Sequence, residues 1–220
     1  MNRYVKPPID NCLFPEIQNL PHCLAWVYSL NKETQEYAKI PINPRTWKAM
    51  EWSKHPELLV DFQTAWNAIQ KRPQYGLGIV LQKPLFEYVC TNSMTAQPGF
   101  EWKCTHPYED PYTCVDFDNK HSDPRIWNIH RDILDNFHTY IEWSPSGKGL
   151  HIWCKASFDA MERGGRRWKD IEIYWAKRFM SLTFNPYRNV PVANCQTQLE
   201  QLMEYLDSIP YLRHTRNNDK

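Results

Sequence analysis

Apolar positions recur along the chain with two periods, and each marks its own kind of element. Leu24 to Leu30, LAWVYSL, is an apolar and aromatic run of strand length. YAKIPINP at 37–44 reads as a short edge strand ended by its prolines, and a turn around Asn31, Lys32 and Glu33 joins the two as a hairpin. From Pro56 the spacing changes. Leu58, Leu59, Phe62, Ala65, Trp66 and Ile69 fall three and four apart, which predicts an amphipathic helix that stops before Arg72-Pro73. Gly76 to Leu81, GLGIVL, follows as a glycine-entered buried strand.

A second helix is predicted over Pro124 to Phe137. Asp123 stands at its N-cap and proline at its first position, and Ile126, Trp127, Ile129, Ile133, Leu134 and Phe137 lie on the apolar side. TCVDFD at 113–118, TYIEW at 139–143, LHIWC at 150–154, IEIYW at 171–175 and FMSLT at 179–183 read as strands, and Gln198 to Asp207 as a last helix. Strands interleaved with helices, and paired as hairpins, predict an α+β domain with a mixed or largely antiparallel sheet; a doubly wound parallel sheet fits less well. FEYVCTN at 86–92 and FEWKCTH at 100–106 are a near-repeat with Pro98-Gly99 between the copies, a hairpin insertion over about 84–112. The organisation expected is an N-terminal arm at 1–23, a catalytic domain at 24–195 carrying that insertion, and a C-terminal helix and polar tail at 196–220.

Composition narrows this picture. A chain of 220 residues, 42% hydrophobic and 14% aromatic, supplies one substantial core or two small sub-domains, which excludes a multidomain machine and a disordered chain. Lys and Arg total 26 against 25 Asp and Glu, so a nucleic-acid or phosphate site must come from local arrangement. No apolar run approaches the roughly 18 residues of a membrane span, and MNRYVKPPIDN lacks the apolar centre of a signal peptide. A soluble, cytoplasmic protein is expected. The seven cysteines form an odd set without a CxxC pair, which argues for reduced, mostly buried thiols.

The chemistry concentrates on three strands. In VDFD, alternation sends Val115 and Phe117 to the core and places Asp116 and Asp118 together on the other face. Two anions so close repel unless a cation neutralises them, and hard oxygen ligands suit Mg²⁺ or Mn²⁺. An isolated D-x-D is more often an ordinary strand end. The same alternation, however, turns His151 and Trp153 away from Leu150, Ile152 and Cys154, and turns Glu172 and Tyr174 away from Ile171 and Ile173. If these strands share a sheet, Asp116, Asp118, His151 and Glu172 converge on one face as a metal-dependent phosphoryl-transfer site.

Ser144-Pro145-Ser146-Gly147-Lys148-Gly149 enters the histidine strand as a tight turn whose N–H groups, hydroxyls and ammonium suit a phosphate chain, although a plain β-turn reads equally well. It is not a Walker loop, because GxxxxGK[ST] is absent. Arg178 opens the next strand, and Arg163, Arg166, Arg167 and Lys169 precede it, placed to track a nucleic-acid backbone or to be solvated. Trp143, Trp153, Trp168 and Tyr174 stand near, for base stacking or, in at least half of them, for core packing.

These residues resemble the archaeo-eukaryotic primase superfamily, in particular the primase-polymerase domains of phages and plasmids. Its three motifs match Val115-Asp116-Phe117-Asp118, Ser146 to His151 and Ile171-Glu172-Ile173, and the likeness runs over roughly residues 24 to 185. The resemblance implies a primase-like fold, an RRM-like catalytic sheet with an N-terminal α/β part forming the other wall of a cleft. It implies two divalent ions on Asp116, Asp118 and Glu172, and a nucleoside triphosphate on Ser146, Lys148, His151 and Arg178. Its partners would be single-stranded DNA template, primer and NTP or dNTP, and the reaction DNA primer synthesis or extension in phage or plasmid replication. With no Walker loop in the sequence, a helicase would belong to a larger replication protein or act separately. Phe184 departs from the pattern, standing where the family commonly has glycine. Cys90, Cys104, His106 and Cys114 would form a four-ligand zinc set, although a cysteine-lined hairpin is the simpler reading. Two rival readings share these residues: a metal-dependent nuclease and a non-catalytic nucleic-acid-binding module.

Overall fold

A computed structural model describes residues 13–15, 18, 21–33, 35–81, 85–91, 99–106, 112–118, 123–158 and 164–212, with 85–91 and 99–106 described as backbone alone. In chain order these are β1 (Cys23–Leu30), β2 (Tyr37–Ile42), a 3₁₀ turn (Pro56–Leu58), α1 (Phe62–Gln70), β3 (Gly76–Leu81), β4 (Leu85–Thr91) and β5 (Gly99–His106). Then follow β6 (Tyr112–Phe117), α2 (Pro124–Asn136), β7 (Ile141–Trp143), β8 (Leu150–Lys155), β9 (Gly165–Trp168), β10 (Ile171–Tyr174), β11 (Arg178–Leu182), β12 (Pro186–Arg188), β13 (Ala193–Asn194), α3 (Gln196–Ser208) and a closing 3₁₀ turn (Pro210–Leu212).

The architecture is mixed α+β, built on two sheets. The N-terminal sheet has the order β11-β3-β1-β2 and the larger one β12-β7-β8-β6-β10-β9, each antiparallel throughout, with β13 adding in parallel to β8. β4 and β5 pair as a separate antiparallel hairpin. Both faces of the larger sheet are covered. Val115, Phe117, Ile152, Ile171 and Ile173 pack under α2 and α3, while Cys114, Tyr140, Trp153 and Tyr174 meet Ala25, Ile79, Met180 and Leu182 of the N-terminal sheet. That second contact explains an unusual burial pattern. β6 and β8 carry polar positions on one face, yet nearly every residue in them is buried, as strands sandwiched on both faces are.

The structure departs from the sequence reading at one helix start and adds to it at two strands. The helix expected from Pro56 begins only at Phe62: Val60 bridges to Cys23 instead, and Asp61 restarts the chain as N-cap, accepting from the Thr64 amide and hydroxyl. FMSLT joins the N-terminal sheet beside β3. Part of the basic stretch, Gly165–Trp168, is β9, hydrogen-bonded to β10. Among the described residues no helix is long and apolar enough to cross a membrane.

Candidate active site

Register places the polar side chains. Arg167 of β9 lies opposite Glu172 of β10, Glu172 opposite Asp116 of β6, Asp116 opposite His151 of β8, and His151 opposite Glu142 of β7. Residues directly opposite in antiparallel strands share a face at about 5 Å spacing, so five ionisable side chains form one row across the sheet. The next row, Tyr174, Cys114, Trp153 and Tyr140, is sealed against the N-terminal sheet. Asp118 lies just beyond the end of β6. The charged row therefore sits where the two sheets part, and the gap is a cleft whose second wall carries Tyr28, Tyr37, Lys39 and the start of β11.

Burial and like charge strain this row. The Asp116 side chain is 19% exposed, and burial lifts its carboxyl above the usual carboxylate range, with Asp118 and Glu172 adding to the effect and His151 opposing it. Glu172 accepts from the Tyr174 hydroxyl at 2.6 Å and lies 3.7 Å from Arg167 Nε. The Tyr174 ring in turn lies beneath the guanidinium groups of Arg178 and Arg167, at 4.8 and 5.6 Å. From the opposite wall, Lys39 Nζ donates to Ser181 Oγ at 2.9 Å and lies 5.5 Å from the Trp26 ring centre. Burial pushes the Lys39 ammonium down, while Asp116 and Asp118 pull it back up.

His151 is held from behind. Its Nδ1 is 3.4 Å from Glu142 Oε1, and its Nε2, 3.6 Å from Asp116 Oδ1, is buried without a hydrogen-bond partner. Glu142 itself is fully buried and surrounded by donors. Its Oε2 accepts from the amides of Thr183 at 3.0 Å and Phe184 at 2.9 Å and from Tyr140 Oη at 3.3 Å, and its Oε1 faces Trp153 Nε1 at 3.3 Å. Phe184 sits at φ +54°, a left-handed backbone costing about 1–2 kcal/mol outside glycine. The Glu142 carboxylate and edge-on contacts to Phe62 and Trp66 hold it there.

The 144–149 segment closes on itself. The Ser144 amide donates to the Gly149 carbonyl and the Gly147 amide to the Ser144 carbonyl, while Ser144 Oγ and Ser146 Oγ are 3.0 Å apart. Gly147 takes φ +70°, and a Cβ on Gly149 would run into the Phe117 carbonyl beside Asp118. Gly149→Ala is therefore expected to lower stability by about 1–3 kcal/mol, read as a reduced denaturation midpoint, whereas Gly147→Asn, tolerated at positive φ, should cost less.

Asp116, Asp118, His151, Glu172, Ser146 and Arg178 thus line one cleft. Lys148 does not line it and lies exposed in the turn. The basic cluster divides by strand alternation. Arg167 faces the cleft, but Arg166 pairs with Asp207 of α3, at 2.5 Å, and Lys169 reaches Asp123 at 3.5 Å, so neither is disposed to track a strand there. Arg163 lies outside the described residues, as do the side chains of Cys90, Cys104 and His106. Cys114 is buried in the inter-sheet core, where burial raises its thiol. Trp153 and Tyr174 belong to that core, Trp168 is buried and donates to Asp207, and Trp143 is exposed against Tyr187. As placed, no three His, Cys, Asp or Glu side chains among the described residues form a metal-binding group. The Glu172 carboxylate is engaged by Tyr174 and Arg167.

Two residues escaped the sequence reading. Glu142 sits in the quoted YIEW strand, but its role depends on its register with His151. Lys39 sits in YAKIPINP, and only the stacking of the two sheets brings it opposite Asp116.

No family model matches the chain. Over 175 residues it is 25% identical to the DNA primase-polymerase of Nitratiruptor phage NrS-1, an alignment covering 77% of this chain and 20% of that protein. The chain spans about a fifth of that relative's length, and the likeness supports a distant primase-polymerase relationship.

Proposed function

We propose that this cleft is a template-directed nucleotidyl-transfer site of the primase-polymerase kind. The observation that carries the proposal is the register row: the acids of two motifs and the histidine of the third fall side by side, although 56 positions of sequence separate Asp116 from Glu172. The distant relative of that name is consistent with it.

The donor set fits a hard divalent cation in its chemistry. Asp116, Asp118 and Glu172 offer carboxylate oxygens only, the hard ligands such an ion takes. These three residues would hold Mg²⁺ or Mn²⁺, which when bound lowers the pKa of an attacking hydroxyl and offsets charge on the phosphates. The protein's own groups do the rest. Arg178, Lys39 and Ser146 line the cleft as partners for triphosphate oxygens, and His151, which lines the same space, turns its Nε2 toward Asp116. In the reaction a primer 3′-oxygen, or that of an initiating nucleotide, forms a bond to the α-phosphorus. The bond to the pyrophosphate oxygen breaks, and the hydroxyl proton passes to solvent or a nearby base. Arg167 and Tyr174 hold the Glu172 carboxylate in place at the cleft.

The test is extension on a single-stranded template, with and without primer, comparing NTPs with dNTPs in Mg²⁺, Mn²⁺ and EDTA. Metal-dependent, template-coded incorporation is expected. Cleavage of the template without incorporation would favour the nuclease reading, and metal-independent binding alone would favour the binding module.

A further inference from the structure

On the hairpin β1–β2, the register sets Trp26 opposite Pro41, Tyr28 opposite Lys39 and Leu30 opposite Tyr37. Alternation puts these six on one face. The aromatic side chains form a ladder along it: Trp26 to Tyr28 at 5.0 Å and Tyr28 to Tyr37 at 6.1 Å between ring centres, each pair close to perpendicular. The ladder runs from a buried foot to an exposed tip. Trp26 is 2% exposed, Tyr28 37%, Leu30 41% and Tyr37 69%. Its middle lies on the wall of the cleft that holds Asp116 and Glu172, and Lys39, Arg167, Lys177 and Arg178 line that same cleft.

A solvated hairpin end has no need of two tyrosines and a leucine on one face, and such a patch beside a polar cleft marks an interaction surface. The two tyrosine rings meet edge to face rather than stacked, and Tyr37, 69% exposed, presents most of its ring to solvent at the tip of the ladder. Flat apolar faces beside cations that continue into a nucleotidyl-transfer cleft match the combination that binds single strands: bases stack on aromatics while phosphates meet lysine and arginine.

We propose that the Tyr28–Tyr37 face binds single-stranded nucleic acid, with bases stacking on the two tyrosines as the strand enters the cleft. The assignment of the occupant as a template strand rests on the nucleotidyl-transfer reading above; the stacking surface itself is tested without catalysis.

The experiment measures fluorescence anisotropy of labelled oligothymidylate, and of an abasic strand of equal length, in EDTA. The wild-type chain is expected to bind the abasic strand about tenfold more weakly. The double variant Tyr28→Ala/Tyr37→Ala is expected to bind oligothymidylate about tenfold more weakly than wild type. It should also lose the distinction between the two strands, with the salt dependence unchanged because no cation is removed. Tyr37→Trp should retain discrimination. Equal binding of both strands by wild type, absence of binding, or an unaltered double variant overturns the proposal. So does a chain that sediments as a dimer and becomes monomeric in Tyr37→Ala, since the patch would then join two copies. Extension measured in parallel separates the two claims: base-dependent binding without incorporation removes the catalytic reading and leaves this surface standing, and the reverse result removes the surface alone.

Discussion

Glu142→Gln is expected to unsettle both the fold and the histidine of the site. Five donors converge on the two carboxylate oxygens: the amides of Thr183 and Phe184, the Tyr140 hydroxyl, Trp153 Nε1 and His151 Nδ1. Glutamine keeps the shape but replaces one acceptor with an NH₂ group. If the NH₂ stands at Oε2, it faces two backbone N–H groups of a turn already in a left-handed conformation. If it stands at Oε1, it faces Trp153 Nε1 and His151 Nδ1, and only the histidine can adapt, by moving its proton to Nε2. The second arrangement is the cheaper one. Each buried donor left facing another donor costs about 1–3 kcal/mol, so a clear fall in the denaturation midpoint is expected, and Glu142→Ala, which also opens a cavity, should fall further. Nitrogen NMR of labelled histidine reads the local consequence. In the wild-type chain the Nδ1 of His151 should carry its proton, and in a folded Glu142→Gln chain the proton should shift to Nε2, the atom on the side of Asp116. An unchanged midpoint with an unchanged histidine signature would show that the carboxylate does neither job.

How much of this was legible in the sequence follows from the range of each interaction. Alternation within one strand is local, so the faces of Asp116, His151 and Glu172 could be assigned from VDFD, LHIWC and IEIYW alone. Their convergence required only that three strands be neighbours. Pairing across sheets is not local. Nothing in FMSLT says that it leaves the strand before it and pairs with GLGIVL, and so the opposition of Lys39 to the aspartates stayed hidden. The same limit produced the undivided basic cluster: until β9 is known to be a strand, Arg166 and Arg167 look equivalent, yet one meets Asp207 behind the sheet and the other Glu172 in front. The early start assigned to α1 has a different origin. Leu58 and Leu59 keep helical spacing, but the Asp61 cap and the Val60 bridge to Cys23 outweigh periodicity across two residues.

Asp116→Asn is expected to give a chain that is more stable without divalent metal and inactive with it. In the metal-free protein the Asp116 carboxyl titrates above its unfolded value, because burial and the neighbouring Asp118 and Glu172 disfavour the charged form. The folded state therefore binds that proton more tightly than the unfolded chain. The linkage sign follows: as pH rises from the unfolded value through the raised one, the carboxylate is imposed on the fold and stability falls. Asparagine, almost the same size, never acquires that charge. Against wild type in EDTA near neutral pH, its denaturation midpoint should rise by about 2 °C or more, and the gap should close in acid, where wild-type Asp116 is protonated. Incorporation should move the other way. If the carboxylate is a ligand of the catalytic ion, its loss removes several kcal/mol of transition-state stabilisation, about a thousandfold or more in rate. Added Mg²⁺ or Mn²⁺ should raise the midpoint of the wild type more than that of the variant, which keeps Asp118 and Glu172 but loses one of the three proposed ligands. A variant that loses activity and stability together would instead mark Asp116 as a structural anchor. One that keeps incorporating nucleotide would take this carboxylate out of the chemistry.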